Sequence, residues 1–182
     1  LSFVSRIVGL IRDRILAGAF GAGDTLDIYY AAFKIPDLLF SLIVVGALSA
    51  SFIPLFLSYY AHSEERAKAW RFTNNAVHLI ALSMLVLSIL LALFAHPLAQ
   101  LVAPGFAAYK QDQVADFMRI MFLSQMLLSV SLVYGSVLQS LKRFFFYALS
   151  PIFYNVGIIV GAMWFVDLFG TIGLAWGVVF GA

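Results

Sequence analysis

From Leu1 to Ala182 the chain alternates between apolar runs of membrane-crossing length and short polar breaks. The first run, residues 1–20, ends in Gly21-Ala22-Gly23-Asp24. Residues 25–60 form one long, mostly apolar stretch. As a single straight helix it would measure about 50 Å, against a hydrocarbon core of about 30 Å. It must therefore tilt or break, and Pro36, Gly46 and Pro54 are the positions that weaken a helix there. Pro36 and Gly46 are the expected hinge. A polar loop from His62 to Arg71 follows, and spans are expected at 74–94, 112–141 and 145–168, with another beginning at 171–182. His96 to Phe106, which contains Pro97 and Pro104-Gly105, reads as a short interfacial segment. The pattern predicts an all-α, polytopic transmembrane helix bundle with about five complete spans and the start of a sixth.

Polar positions inside the first two runs are not scattered. On a helix turning 100° per residue, Ser2, Ser5, Arg6, Gly9, Arg12 and Asp13 fall within an arc of about 120°. In the second run Asp27, Tyr30, Lys34, Asp37 and Ser41 fall within about 80° of one another. Charged residues in a span face a bundle interior or a water-filled cavity, pair with one another, and mark a substrate or ion path. The alternative is that arginines near a helix end snorkel into headgroups. Two neighbouring helices with charged stripes bury them best by facing each other, with Arg6, Arg12 and Lys34 set against Asp13, Asp27 and Asp37. Buried ion pairs rarely add stability over apolar packing, so a shared hydrated cavity explains six charges better than helix glue.

Composition fixes the class. Hydrophobic residues make up 63% and charged residues 11% of the chain, where a soluble domain carries about 25% charge. Mean hydropathy is +1.00. This is an integral membrane protein. The absence of cysteine excludes disulfides and cysteine-based metal or redox chemistry. A net charge of +2 gives no reason to expect nucleic acid as a partner. No cleavable signal peptide is visible. The chain lacks an initial methionine and stops within an apolar run, as a piece of a longer protein would. Loops after the second and fourth spans carry Arg66, Lys68, Arg71, Lys142 and Arg143, whereas those after the first, third and fifth carry only Lys110. By the positive-inside rule the N-terminus is expected in the cytoplasm.

The candidate chemistry is ionic. Arginine presents two parallel donors to a phosphate and lysine adds a point charge, so Arg6, Arg12 and Lys34 could cradle a diphosphate. The same groups could hold a carboxylate or relay protons. His78 is expected to be a hydrogen-bonded packing residue, and His62 and His96 lack metal-ligand spacing. No nucleophile–base pair, glycine-rich phosphate loop or catalytic carboxylate pair is present, so an enzyme, a metal site and a cofactor are not expected.

The segment Ser5-Arg6-Ile7-Val8-Gly9-Leu10-Ile11-Arg12-Asp13 resembles the first-span signature of the MurJ/MviN lipid II flippases, within the multidrug/oligosaccharidyl-lipid/polysaccharide (MOP) exporter superfamily. So do Phe20-Gly21-Ala22-Gly23 with Asp27, Ala32-Phe33-Lys34-Ile35-Pro36-Asp37-Leu38-Leu39, and Gly46-Ala47-Leu48-Ser49 with Phe52 and Pro54. Ala103-Pro104-Gly105-Phe106 and the Pro151/Asn155 pair fit the same pattern. The resemblance implies a two-lobed transporter, of which residues 1–182 would be an N-terminal lobe lacking its C-terminal partner lobe. It implies alternating access in the bacterial cytoplasmic (inner) membrane. The expected partners are membrane lipids and a lipid-linked diphosphate-saccharide, the peptidoglycan precursor lipid II. It also implies that Arg6, Arg12, Asp13, Asp27 and Lys34 match the family's substrate-binding residues. Phe40 and Ser41 stand where many members carry arginines, and Val45 where they carry glutamate. An exporter of another undecaprenyl-linked saccharide, a MATE-like drug antiporter and a non-transporting membrane scaffold are the other readings. Arg6 and Arg12 weigh against the antiporter, and the intramembrane charges against the scaffold.

The orientation makes a direct prediction in this cysteine-free background. Ser63→Cys should resist an impermeant thiol reagent applied outside intact cells, whereas efficient labelling from outside would reverse the assigned topology.

Overall fold

The computed structural model describes residues 2–42 and 51–182. The described residues are helical almost throughout and contain no strand. In chain order the helices are α1 (Ser2–Phe20), α2 (Asp24–Phe40), α3 (Ile53–Tyr60), α4 (Arg66–Leu93), α5 (Ala95–Val102), α6 (Ala108–Ser140), α7 (Phe144–Tyr147), α8 (Ser150–Val160), α9 (Val166–Phe169) and α10 (Gly173–Gly181).

α6 is the axis of the bundle. Its apolar side chains Val114, Phe117, Met118, Met121 and Phe122 are buried, and α2, α4, α5 and α10 pack around it. One core joins Leu16 of α1, Ile28 and Tyr29 of α2, Ile158 of α8 and Leu174 of α10 to those α6 residues. A second core, built from Phe52, Phe56, Met84, Val133 and Val137, ties α3 and α4 to the far half of α6. Outward-facing Leu79, Leu82, Leu93, Leu101, Phe153, Trp164 and Phe180 are exposed, as expected where lipid rather than water is the solvent. The buried hydroxyls of Ser124, Ser129 and Ser136 donate to carbonyls three or four residues earlier, so α6 satisfies them itself.

Among the described residues, three stretches are long and apolar enough to cross a membrane: Ser63–Leu93, Ala108–Ser140 and Phe144–Gly181. The third is a hairpin, because Gly170 turns with φ 70° and α10 runs back along α8. α1 is shorter, with 19 residues, about 28 Å of helix. It ends at Gly21, whose φ of 63° lets its N–H cap the Ala17 carbonyl at 2.9 Å.

One expectation needs correction. The polar stretch from His62 to Arg71 is largely helix: α4 starts at Arg66, where Arg66, Lys68 and Arg71 are good helix formers and Lys68 pairs with Glu65 at 2.6 Å. Pro36 lies buried inside α2, and the α-helix continues past it to Phe40. Ser41 and Leu42 after it, and Ser51 and Phe52 before α3, are π-helical. Gly46 lies outside the described residues.

The hairpin is joined by glycines. Gly157 and Gly161 of this arm meet Gly173, Gly177 and Gly181 of the returning one, the small-xxx-small spacing that lets membrane helices approach closely. A Cβ on Gly161 would lie 2.6 Å from the Gly177 Cα. Gly161→Val should therefore destabilise the protein by at least about 1–3 kcal/mol in detergent thermal unfolding. Gly18, in α1, has open space around it, and Gly18→Ala should stabilise by up to about 1 kcal/mol. Equal melting temperatures for the two variants would contradict this seam.

Candidate functional site

The guanidinium of Arg12 is fixed on two sides. Its Nε and Nη2 donate to Asp13 Oδ1 at 2.9 and 2.7 Å, and its Nη1 donates to Asn155 Oδ1 of α8 at 2.8 Å. Asn155 is itself oriented, since its Nδ2 donates to the Pro151 carbonyl at 2.7 Å and leaves its oxygen for Arg12. A Cβ on Gly9 would lie 3.8 Å from Asn155 Oδ1, an ordinary van der Waals distance, so α1 passes close to α8 here. The Arg12 side chain is 25% exposed and that of Asp13 50%. The pair is held but not sealed.

Opposite Arg12 stand the polar residues of α2. Lys34 Nζ donates to the Val102 carbonyl at the end of α5, at 3.2 Å. Asp37 Oδ1 accepts from Gln125 Nε2 of α6, also at 3.2 Å. Arg12, Lys34, Asp37, Tyr30 and Tyr154 line one cleft of about 380 Å³. Tyr30 and Lys34 also line a neighbouring cleft of about 260 Å³, with Asp27, Val102 and Phe106. A larger cleft of about 630 Å³ lies elsewhere, between α6 and the α7–α8 segment. Its lining, which includes Leu128, Leu132, Phe146 and Phe153, carries no charged side chain, so it cannot serve an ion in the same way.

Of the expected site residues, the structure brings Arg12 and Lys34 into one cleft with Asp37. Asp13 is the partner of Arg12. Asp27 shares the adjoining cleft with Lys34. Arg6 is exposed and lines neither of these clefts. α1 packs chiefly along α8, with few contacts to α2, and the charged residues of α1 and α2 face each other across the cleft rather than in contact. The Asn155 acceptor gives Arg12 a bonded partner on α8. Asn155, Gln125 and Tyr154 were not singled out as site residues. A lone asparagine or glutamine deep in an apolar run is the signal that could have found the first two.

The histidines are engaged locally. His78 Nδ1 lies 2.7 Å from the Asn74 carbonyl one turn back, and His96 Nδ1 lies 3.0 Å from Asp112 Oδ1. Among the described residues no three His, Cys, Asp or Glu converge as metal ligands.

Comparison with known proteins decides the family. The profile of the family described as "Lipid II flippase MurJ" matches residues 16–182. This chain belongs to the MurJ lipid II flippase family. It is 33% identical to the "Probable lipid II flippase MurJ" of Buchnera aphidicola subsp. Acyrthosiphon pisum, over all of this chain and 36% of that protein. The protein of the same description from Thermotoga maritima is 35% identical, over 89% of this chain and 33% of its own length. A solved structure described as "Lipid II flippase MurJ, inward closed conformation" superposes with a TM-score of 0.80 at 28% identity, covering 99% of this chain and 38% of that one. The chain thus spans about a third of the length of these MurJ relatives. The family resemblance carried by the first two sequence blocks holds, as does the all-helical membrane fold.

The Arg12–Asn155 bond is testable by itself. It joins a charged donor to a partly buried acceptor and should contribute about 1 kcal/mol, less than a fully buried charged bond. In a double-mutant cycle of Arg12→Gln with Asn155→Leu, the two losses in thermal stability should fall short of additivity by about that amount. Strict additivity would show that the bond does not hold α1 to α8.

Proposed function

We propose that the protein to which this chain contributes moves lipid II across the bacterial cytoplasmic membrane, and that Arg12 and Lys34 hold the diphosphate of that lipid. The observation that carries this reading is the convergence of two cations from different helices on one cleft, in a chain of the MurJ family. A diphosphate drawn to membrane depth loses its hydration and needs charge-assisted donors in return. Arginine has five N–H donors, and Arg12 commits three to Asp13 and Asn155, which leaves two for a ligand. Lysine has three, and Lys34 commits one to Val102, leaving two more. The hydroxyls of Tyr30 and Tyr154 add neutral donors at the cleft wall.

Each bound partner also fixes geometry. Asp13 and Asn155 hold the guanidinium plane before any ligand arrives, so less side-chain entropy is lost on binding. Arg6 lies outside the cleft on the same helix, and in this reading it attracts the incoming headgroup electrostatically. Asp27, beside Lys34, holds that lysine's charge in place between visits. Transport follows alternating access, a rigid-body rocking about the fixed site. The Pro36 segment, the π turn after it and Gly46 absorb the change in backbone angle. The site reads the diphosphate and leaves the saccharide to be recognised elsewhere.

Complementation of a flippase-depleted strain with full-length variants tests this reading. Losing either Arg12 or Lys34 to alanine should weaken substrate binding by roughly 1.5–3 kcal/mol, about ten- to a hundredfold, and impair growth at normal membrane levels. Arg12→Lys should recover only part, because it keeps the charge but not the fork. Full growth from both alanine variants would leave the two cations with a structural role alone.

A further inference from the structure

Gln125 lies on α6 with 1% of its surface exposed. Its Nε2 donates to Asp37 Oδ1 at 3.2 Å, while its Oε1 is buried without a hydrogen-bond partner. A buried acceptor left unpaired is costly, and more so where no water reaches it. A primary amide presents its N–H and its C=O side by side. The group that satisfies both at once is a neutral carboxylic acid, whose carbonyl accepts from the N–H and whose O–H donates to the C=O. An ionised carboxylate can only accept, so it satisfies half of the amide and turns its charge toward the orphaned oxygen.

We propose that Asp37 is a proton-binding site, closed by Gln125 as an acid–amide pair. A proton taken from cleft water forms an O–H bond on the Asp37 oxygen not engaged by Gln125 Nε2. The carboxylate loses its charge, and the new O–H donates to Gln125 Oε1. The ionisable groups facing Asp37 across the cleft are Arg12 of α1, Tyr154 of α8, and Tyr29, Tyr30 and Lys34 of α2 itself. Neither cation is committed to Asp37. Arg12 bonds Asp13 and Asn155, Lys34 bonds the Val102 carbonyl of α5, and among the described residues no ion pair joins either to Asp37.

This arrangement links the proton to the cleft's charge. With Asp37 neutral, Arg12 and Lys34 face the cleft unopposed by it; with Asp37 ionised, its carboxylate competes for them with any incoming anion. A proton on Asp37 and an anion in the cleft therefore favour each other, and the linkage is reciprocal. Anion binding strengthens as the pH falls through the titration of Asp37. The site exists whether or not that anion is a diphosphate, so it stands or falls separately from the flippase reading.

Infrared difference spectroscopy of the full-length protein in lipid, titrated between alkaline and acid pH, reads the carbonyl stretch of protonated carboxyls directly. At neutral pH a protonated-carboxyl band should be present and should vanish in Asp37→Asn. Asparagine keeps the shape of the neutral acid and both bonds to Gln125, so this variant should fold. Gln125→Met removes the acceptor for the acid proton and should move the band to higher frequency. A neutral-pH spectrum without an Asp37-dependent band, or a band unmoved by Gln125→Met, would overturn the assignment. Loss of the band on replacing choline with sodium at constant pH would make Asp37 a sodium ligand, and would overturn it equally.

Discussion

A guanidinium drawn out of bulk water still carries five donors, and apolar surroundings offer them nothing in exchange. The rest of this bundle's polar interior is arranged around that constraint at Arg12. Asp13 supplies the counter-charge from the same helix, and Asn155 supplies a neutral acceptor from α8. Because that acceptor sits on α8, α1 is drawn to α8 rather than to α2. The space between α1 and α2 then remains as the cleft in which Arg12 and Lys34 meet. A carboxylate in place of Asn155 would neutralise Arg12 further. A neutral amide orients the arginine without cancelling it.

The same solvent logic governs the scaffold. Without water, apolar surface gives little drive for one helix to join another, so close packing and internal hydrogen bonding must do it. The Gly157/Gly161 and Gly177/Gly181 contacts bring the two arms of the C-terminal hairpin nearly backbone to backbone. The α6 serines close their hydroxyls onto their own helix. Gln125 is the exception, and its Nε2 bonds Asp37, a residue that lines the charged cleft. The polar residue that packing does not satisfy stands where chemistry is proposed.

Much of this was legible in the chain itself. Apolar periodicity and composition were sufficient for an all-helical membrane fold, and the charged stripes at Arg12–Asp13 and Lys34–Asp37 fall on the residues that line or border the cleft. A helical wheel, however, shows which residues share a face and not which helix that face meets. The pairing of α1 with α8 is bonded through Asn155, an uncharged residue more than a hundred positions from Arg12. Arg6 shares the arc of Arg12, yet lies too far along α1 to reach the same cleft. Pro36 was legible as a weak point, and the α-helix runs four residues past it before turning π-helical at Ser41. The polar run before α4 looked like loop because charge was weighed above helix propensity.

The central claim is that the cleft holds a diphosphate through Arg12 and Lys34 together. Its most direct test is the equilibrium binding of a short-chain, water-soluble lipid analogue to the full-length protein, compared as diphosphate and monophosphate. The account predicts that the diphosphate binds roughly ten- to a hundredfold more tightly, and that this preference disappears in Arg12→Gln/Lys34→Gln. Equal affinity for the two analogues, or a preference that survives the double substitution, would contradict it.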